Sequence, residues 1–325
     1  MKIIKLSLLC LLANVVSLRA DGQSAQGMLP LNPARVPAEI RTIPDGRAIL
    51  LYRDAFRGYA PAGASAIELR DTTGAVAWDR HPGLDIPDAT IVTLLDAAMT
   101  TAGQMVVSLV AARPGAGTVH LLAYYSINNR QATRLVVIPV ACFRLTAAAE
   151  GGVWCLGPHV ERHNQRRSDF QFVHQFTEDG RLSTSIGDRN AFPGSPPPWA
   201  GQSQLVVSQG RVVVWMANRR QIAIFGANGE VLALANVPDA SLVSNERNEI
   251  VLADDGSLRL LGITQRPSDH IASWRRSLLV WRPETNDWRA TTLDGLSLAI
   301  RLVGSTADTV TLWDRDQPRL LRIKP

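Results

Sequence analysis

One short segment of the sequence combines side-chain types that bind transition metals. His159, Glu161 and His163 alternate with other residues, so an extended strand would place all three side chains on one side. Two imidazoles and a carboxylate suit zinc or another divalent ion. The arginines that follow are equally typical of a solvated loop. A divalent metal site is one interpretation of this segment and an open loop is the other, and the sequence predicts no further cofactor.

Arginines and tryptophans in the polar segments form a second set of candidate residues. Guanidinium groups donate paired hydrogen bonds to carboxylates, phosphates and sulfates, and tryptophan rings stack on sugars or arginines. The candidates are Arg57, Arg113, Arg166, Arg167, Arg189, Trp199, Trp274, Arg275 and Arg276. They predict a surface that recognises a protein or an anionic cell-envelope glycan, with solvated loop arginines as the alternative.

Two cysteines flank a predicted hairpin turn. Cys142 and Cys155 become near-opposite partners if the turn is centred between Ala148 and Ala149. A disulfide between them would close a loop of about 14 residues and contribute about 3 kcal/mol in the chain-entropy model. Two buried free thiols are the alternative.

The N-terminus has the pattern of a secretory leader. Lys2 and Lys5 precede the uncharged stretch Leu6–Leu18, which is too short for an ordinary transmembrane helix. We expect cleavage after Ala20 and a secreted or periplasmic protein, with a retained N-terminal anchor as the alternative. Because the leader also contains Arg19, its removal lowers the formal net charge of +5 by three units.

Composition and absent motifs exclude several classes of protein. With 325 residues, of which 46% are hydrophobic and 19% charged, the chain can bury a large core and is not a disordered tail. It contains neither a G-x-S-x-G nucleophile elbow nor a phosphate-binding GxxxxGK[ST] motif. No basic block is interleaved with aromatic residues, so we predict no nucleic-acid partner. No segment after the leader is apolar over the roughly 20 residues of a membrane span.

Two repeated sequence units indicate the elements that must position the candidate residues. In the first unit a polar turn precedes an apolar burst, at 44–53, 101–110, 150–156, 208–217, 247–253 and 307–313. We interpret these bursts as six equivalent strands. In the second unit two apolar runs flank a tight turn, which contains Gly74, Asn129, Gly180, Gly229 or Asn286. Glycine and asparagine tolerate positive φ in hairpin turns, so the second unit predicts five hairpins.

The spacing of the units predicts an all-β fold, a six-bladed β-propeller of four-stranded antiparallel blades. The hairpin turns are 55, 51, 49 and 57 residues apart, close to the length of one such blade. Six blades fill residues 21–325 as a single domain after the leader 1–20. The last unit, 296–325, has room for three strands, so we expect the N-terminal segment 24–33 to close the ring. Seven blades, a β-sandwich or two domains are the alternatives.

Short motifs resemble those of six-bladed β-propellers of the NHL-like kind. They include TTAGQMVVSLV at 100–110 and FTEDGRL at 176–182, and the resemblance extends over nearly the whole chain after the leader. It implies the fold. Binding modules, scaffolds and several enzyme families share this architecture, so the resemblance does not assign a function.

The placement of insertions favours a binding module without catalysis. Insertions at 54–65, 112–118, 158–169 and about 254–276 fall between the second and third strands of blades, where they emerge on one face. We therefore expect an exported binding module. The alternative is a hydrolase similar to the calcium-dependent lactonase propellers, with Glu39, Asp96 and Asn245 as candidate ligands of a channel metal. A structural domain that docks onto a membrane or secretion complex is the third hypothesis.

Overall fold

The computed structural model consists of six sheets that follow one another along the chain, antiparallel except where the N-terminal strand joins the fifth sheet. It describes residues 16–18, 36–43, 45–53, 62–113, 115, 117–128, 132–160, 170–194, 203–208, 210–238, 250–253, 255–264, 275–306, 308–317 and 319–324. Neighbouring strands in sequence pair within each sheet, and the first strands of all six sheets surround a central channel. The fold is a six-bladed β-propeller, as the repeats predict.

The first three blades have four strands each, ordered from the channel outward. The N-terminal strand β1 is Val16–Leu18. Blade 1 contains β2 (Glu39–Thr42), β3 (Ala48–Tyr52), β4 (Ala66–Arg70) and β5 (Val76–Arg80). Blade 2 contains β6 (Ile91–Met99), β7 (Gln104–Arg113), β8 (Gly117–Ser126) and β9 (Ala132–Val137). Blade 3 contains β10 (Arg144–Ala147), β11 (Val153–Leu156), β12 (Val173–Phe176) and β13 (Leu182–Ile186).

The remaining blades repeat this order, but the last is one strand shorter. Blade 4 contains β14 (Gln204–Ser208), β15 (Arg211–Met216), β16 (Gln221–Phe225) and β17 (Val231–Asn236). Blade 5 contains β18 (Ile250–Leu252), β19 (Leu258–Thr264), β20 (Arg275–Arg282) and β21 (Asp287–Leu293). Blade 6 contains β22 (Ile300–Ser305), β23 (Val310–Asp314) and β24 (Arg319–Ile323).

Five of the six apolar bursts form the second strand of a blade. These strands are buried on both sides by neighbouring blades; β3, for example, is buried throughout, whereas most of the outer strand β5 is exposed. The burst at 247–253 is the exception, because it forms the inner strand β18 and β19 follows as the second strand. The interpretation of six equivalent strands is therefore wrong for blade 5. All five predicted hairpins are present, as the third and fourth strands of blades 1 to 5.

A recurring five-residue turn explains the glycine pattern. In the turn 71–75, the N–H of Asp71 donates to the carbonyl of Ala75, and the N–H of Gly74 donates back to the carbonyl of Asp71. The same pair of hydrogen bonds closes the turns that begin at residues 43, 100, 148, 177, 226 and 253. The glycine has φ between +77° and +91° at each of these turns, a conformation that other residues adopt only with strain.

Six separate apolar clusters fill the spaces between adjacent blades. One of them joins blade 1, through Leu50 and Tyr52, to blade 6, through Val303 and Trp313. The other five clusters occupy the blade pairs 1/2, 2/3, 3/4, 4/5 and 5/6. The ring is therefore closed by side-chain packing. At the same junction Thr42 donates a hydrogen bond to the carbonyl of Val303 at 2.9 Å.

The N-terminal strand of the structure, β1, is not the segment that we expected to close the ring. Blade 6 has three strands, as its length predicts, and the candidate closing segment 24–33 lies outside the described residues. Strand β1, inside the predicted leader, instead pairs in parallel with Thr291–Leu293 at the outer edge of blade 5. None of the helices among the described residues is long and apolar enough to cross a membrane.

The predicted disulfide is present. Cys142 and Cys155 are bonded, with their Cα atoms 5.3 Å apart, and both residues are fully buried. Cys155 lies in β11, and Cys142 belongs to the connection that enters blade 3. The bond therefore ties the second strand of blade 3 to the segment that leads into its first strand.

Candidate functional site

The two faces of the propeller differ in the length of their connections. Connections between the first and second or the third and fourth strands are tight turns, such as 43–47 and 226–230. The remaining connections emerge on the opposite face and include 53–65, 157–172 and 187–203. We call these surfaces the tight-turn face and the loop-rich face. The strand order places the long connections on one face, where a rigid scaffold can present binding residues.

Two predicted insertions are shorter in the structure than the sequence suggested. The segment 112–118 is a short turn, because β7 and β8 remain paired as far as Arg113 and Gly117. The segment 254–276 is interrupted by β19 and by the start of β20. Blades 2 and 5 therefore contribute less to the loop-rich face than expected.

Exposed charges in the tight turns are mainly carboxylates. The described turns contain the exposed Asp45, Glu150, Glu178, Asp179, Glu230, Asp255, Glu284 and Asp308, with Arg47 and Arg181 as their arginines. Arg47 pairs with Asp45 and Arg181 with Asp179, so these two cations are neutralised by neighbours in the same turn. The exposed Arg211 and Arg282 flank two further turns, but carboxylates outnumber arginines, so the tight-turn face disfavours an anionic ligand.

Several predicted site residues lie outside the described part of the chain. They are Arg57, Arg166, Arg167, Trp199 and Trp274, together with the proposed metal ligands Glu161 and His163. Arg113 ends strand β7 at the loop-rich face, and only its backbone is described. Of the predicted binding residues, the side chains of Arg189, Arg275 and Arg276 are described.

Arg275 and Arg276 correct one expectation about the loops. Both residues begin strand β20 and are not part of a free loop. Arg275 is exposed, but Arg276 is 2% exposed and donates a hydrogen bond to the carbonyl of Leu298. Arg276 therefore fastens the connection between blades 5 and 6 and does not present its guanidinium to a ligand.

Arg189 shares the loop-rich face with Arg219 and Arg220, two arginines that the sequence did not single out. It begins a 3-10 turn, Arg189–Ala191, in the connection from blade 3 to blade 4, and Asp188 caps this turn. A second 3-10 turn, Ala217–Arg219, connects β15 and β16 on the same face. Arg219 and the next residue, Arg220, are both half-buried there. The sequence signal was the polar segment 217–220 between two strongly apolar strands.

The electrostatics of Arg219 link it to Arg189. Burial lowers the pKa of Arg219, and the positive charge of Arg189 lowers it further. Arg219 donates a hydrogen bond to the carbonyl of Phe192, in the connection that contains Arg189. The positive charge of Arg189 thus acts on Arg219 at the junction of blades 3 and 4.

A buried ionic network lies at the loop-rich end of the channel. Arg41 of β2 forms ion pairs with Glu39 at 2.5 Å and with Asp96 at 2.8 Å. Its remaining donors reach the carbonyl oxygens of Ala97 at 3.3 Å and Leu145 at 3.0 Å. These partners belong to blades 1, 2 and 3, so a single guanidinium connects three inner strands.

Three arginines surround the carboxylate of Glu39. Arg41 contacts one carboxylate oxygen, while Arg53 at 2.7 Å and Arg144 at 3.7 Å contact the other. Burial opposes ionisation of Glu39, but the charges of Arg41, Arg144 and Arg53 outweigh it and hold its pKa well below the usual range. Glu39 is therefore an ionised structural carboxylate.

Asp96 completes the network from blade 2. It is fully buried, and its two oxygens accept the backbone N–H groups of Ala97 at 2.9 Å and Leu145 at 2.7 Å. Burial raises the pKa of Asp96 and the adjacent Arg41 counteracts it. With three arginines and two carboxylates, the network has one net positive charge when both acids are ionised.

The channel itself is a cavity of about 930 Å³ lined by the inner strands of all six blades. Two of the predicted channel ligands, Glu39 and Asp96, do lie close together beside it, while Asn245 is outside the described residues. All four oxygens of these carboxylates are engaged by arginines or backbone amides. Within the described ranges, no group of three or more His, Cys, Asp and Glu side chains could hold a metal ion.

His159 contacts a second histidine that the sequence did not single out. Its ring lies 5.1 Å, centroid to centroid, from the ring of His174 in β12. His174 is completely buried, and its two nitrogens contact Ser185 Oγ at 2.7 Å and the carbonyl of Gly157 at 3.0 Å. Burial, and then His159, lower the pKa of His174 to about 3, so His174 is neutral in the folded protein.

Comparisons with known proteins find likeness at the level of overall structure. No protein-family model and no curated protein matches the sequence. Virginiamycin B lyase from Staphylococcus aureus is 12% identical with a TM-score of 0.49, over 92% of this chain and 98% of the lyase. A protein of unknown function from Bacteroides caccae is 11% identical with a TM-score of 0.48, over 81% and 84% of the two chains.

A third similar structure is a putative exported protein from Bacteroides fragilis. It is 10% identical with a TM-score of 0.47, over 92% of this chain and 82% of that protein. At such identities and scores, none of these proteins transfers an activity to this chain. The chain is a six-bladed β-propeller by its own sheet order and by the apolar cluster that joins blade 6 to blade 1.

Proposed function

We propose that this chain is an exported binding module whose loop-rich face recognises an anionic ligand. The observation that supports this most strongly is the one-sided distribution of the long connections and of the clustered arginines Arg189, Arg219 and Arg220. Arginine side chains donate paired, charge-assisted hydrogen bonds to carboxylates, sulfates and phosphates. The acidic tight turns on the other face would repel the same ligand and so orient its approach.

Export is supported by two independent features. The first 20 residues have the pattern of a secretory leader, and Cys142 and Cys155 form a disulfide. Structural disulfides persist mainly in oxidising compartments outside the cytosol. We accordingly propose that the ligand is met outside the cytosol, where acidic cell-envelope polymers are available.

Charge reversal on the two faces provides the test. Binding to alginate, a carboxylated polysaccharide, and to poly-L-glutamate is measured by titration for the wild type and for Arg220→Glu and Arg275→Glu. We expect each variant to bind at least one polymer about three- to tenfold more weakly. Preferential binding of alginate would identify a glycan-like ligand, and preferential binding of poly-L-glutamate an acidic protein.

Arg211→Glu is the matched control. Arg211 is exposed where β14 and β15 meet on the tight-turn face of blade 4, and its reversal changes the net charge by the same amount. We expect this variant to bind as the wild type does. Equal weakening by reversals on both faces, or no binding of either polymer by the wild type, would contradict the proposal.

A further inference from the structure

Arg219 has donor groups that the protein itself does not use. Its Nε and one terminal nitrogen, Nη1, are buried without a hydrogen-bond partner, while Nη2 donates to the carbonyl of Phe192. Leaving a buried donor unpaired is unfavourable, and more so for a charged group. Nε and Nη1 lie on either side of Nη2, which has a second N–H. On the edge away from Phe192, that N–H and one of the unpaired donors can bind both oxygens of a carboxylate or two oxygens of a phosphate or sulfate.

The charge of Arg219 is also uncompensated. Among the described residues no carboxylate forms an ion pair with it, whereas Arg144 and Arg53 in the channel network both pair with Glu39. Its charged neighbour is instead another arginine, Arg189. The charge of Arg189 disfavours the charged form of the partly buried Arg219, and an anion bound at Arg219 would offset that repulsion.

A neighbouring side chain contributes an unused acceptor. Gln221 is buried, and its amide nitrogen donates to the carbonyl of Pro193 at 3.3 Å and to Asn236 Oδ1 at 3.0 Å. The carbonyl of Pro193 can only accept, so the amide nitrogen must face it and the amide oxygen points elsewhere. That oxygen is buried without a partner.

The connection 192–194 brings these groups to one place. Arg219 bonds to its first residue and Gln221 to its second, and the third residue is Gly194. A Cβ at Gly194 would lie 3.0 Å from Nη1 of Arg219. A side chain at 194 would therefore crowd Nη1 of Arg219, and glycine avoids this contact.

We propose that Arg219, with Arg189 and Gln221, binds the acidic group of a hydroxylated ligand, such as a sugar acid, at the junction of blades 3 and 4. One edge of the Arg219 guanidinium binds the oxyanion, Arg189 adds a second positive charge, and the oxygen of Gln221 accepts a ligand hydroxyl. This site rests on the proposed function of the loop-rich face and specifies the group that the face recognises.

Titration with small anions tests the site. D-glucuronate, sulfate and acetate are compared by isothermal titration calorimetry with the full chain, at constant ionic strength set with chloride. We expect glucuronate to bind more tightly than acetate, because only glucuronate supplies a hydroxyl. Stronger binding of sulfate than of glucuronate would overturn the role of Gln221, and no binding of any of the three would overturn the whole site.

Two variants and one control localise the binding. Arg219→Gln should weaken glucuronate binding about tenfold or more, because it removes a charge and both free donors. Arg189→Gln should weaken it less and leaves the bond from Arg219 to Phe192 in place, so it reports on the site even if Arg219→Gln folds poorly. Arg211→Gln, on the tight-turn face of the same blade, should bind as the wild type does. Unchanged affinity in both site variants would overturn the inference.

The two proposals fail in distinguishable ways. If the polymers bind through Arg220 and Arg275 while glucuronate binding is insensitive to Arg219, this site is wrong and the role of the face stands. If glucuronate binds through Arg219 while neither polymer binds, the site stands and the wider face does not recognise polymers.

Discussion

At the scale of single residues, buried charges in this protein have two different roles. Arg41 has all its donors matched to acceptors inside the protein, whereas Arg219 has two buried donors without any. Matched donors hold strands together, and unmatched donors favour a ligand that supplies the missing acceptors. This contrast distinguishes Arg41, which links the channel network, from Arg219 in the candidate anion site at the junction of blades 3 and 4.

Removal of Arg41 should destabilise the ring. Arg41→Met leaves the buried Glu39 and Asp96 without their shared partner, and we expect the free energy of unfolding to fall by about 3 kcal/mol. Urea denaturation measures the change. Arg47→Met is the control, because Arg47 pairs with the exposed Asp45 in a turn, where an ion pair contributes under about 1 kcal/mol. Equal losses in both variants would contradict the structural role of the network.

His174 predicts how stability depends on pH. The pKa of His174 is about 3 in the folded protein, against 6.5 for an ordinary histidine, so between these pH values the unfolded chain binds a proton that the folded chain excludes. Its contribution to stability is complete above pH 6.5 and is lost as the pH falls toward 3. Between pH 7 and pH 5 we expect a loss of about 2 kcal/mol from this group.

The measurement compares unfolding free energies at pH 7 and pH 5 in two variants. His174→Gln removes the titrating group, so the difference between the two pH values should shrink by about the amount expected for His174. His159→Gln, which alters the half-buried neighbour, should retain most of the difference. An unchanged pH dependence in His174→Gln would show that His174 is not excluded from protonation in the folded state.

At the scale of elements, the sequence predicted best those features whose residues are close together in the chain. The positive φ of Gly74 and Gly180 marks hairpins, because the residues that form each turn are adjacent in sequence. The disulfide was also predictable, since Cys142 and Cys155 flank one turn. The strand at 247–253 was misassigned because an inner strand and a second strand can have the same short apolar pattern.

Substitutions at two turn glycines distinguish the cost of backbone strain from the cost of close packing. Gly103 and Gly152 have φ of +77° and +72°, so alanine incurs a similar backbone penalty at both. A Cβ at Gly103 meets nothing within 4 Å, whereas one at Gly152 overlaps the carbonyl oxygen of Phe176. We expect Gly103→Ala to cost about 1 kcal/mol and Gly152→Ala at least twice as much, measured by urea denaturation. Equal costs would contradict the close approach of 152 to β12.

At the scale of the whole molecule, the sites depend on contacts that no local pattern reveals. Arg41 meets Leu145 across 104 positions of sequence, so composition and spacing cannot identify it as the link between three blades. Glu39 and Asp96 were recognised as channel residues from the predicted fold, but their arginine partners were not. Likewise, Arg219 becomes a candidate binding residue only because the β15–β16 connection packs against the connection from blade 3 to blade 4.

Ring closure between the first and last blades has its own test. A Cβ at Gly304 would overlap Thr42 Oγ1, the group that bonds to the carbonyl of Val303. Gly304→Ala should therefore lower the free energy of unfolding by about 1 to 3 kcal/mol, and less in a Thr42→Ala background, where the overlapping oxygen is absent. A double-mutant cycle measures this coupling. Strict additivity would mean that blades 1 and 6 do not meet at these residues.

Arginine footprinting tests most directly the claim that the loop-rich face is the binding surface. Phenylglyoxal modifies arginine side chains, and mass spectrometry reads the extent of modification at each position with and without alginate. We predict that alginate slows modification of Arg189, Arg220 and Arg275, while Arg181 and Arg211 on the tight-turn face react at unchanged rates. Protection of Arg181 and Arg211 with none at the loop-rich face would contradict the account.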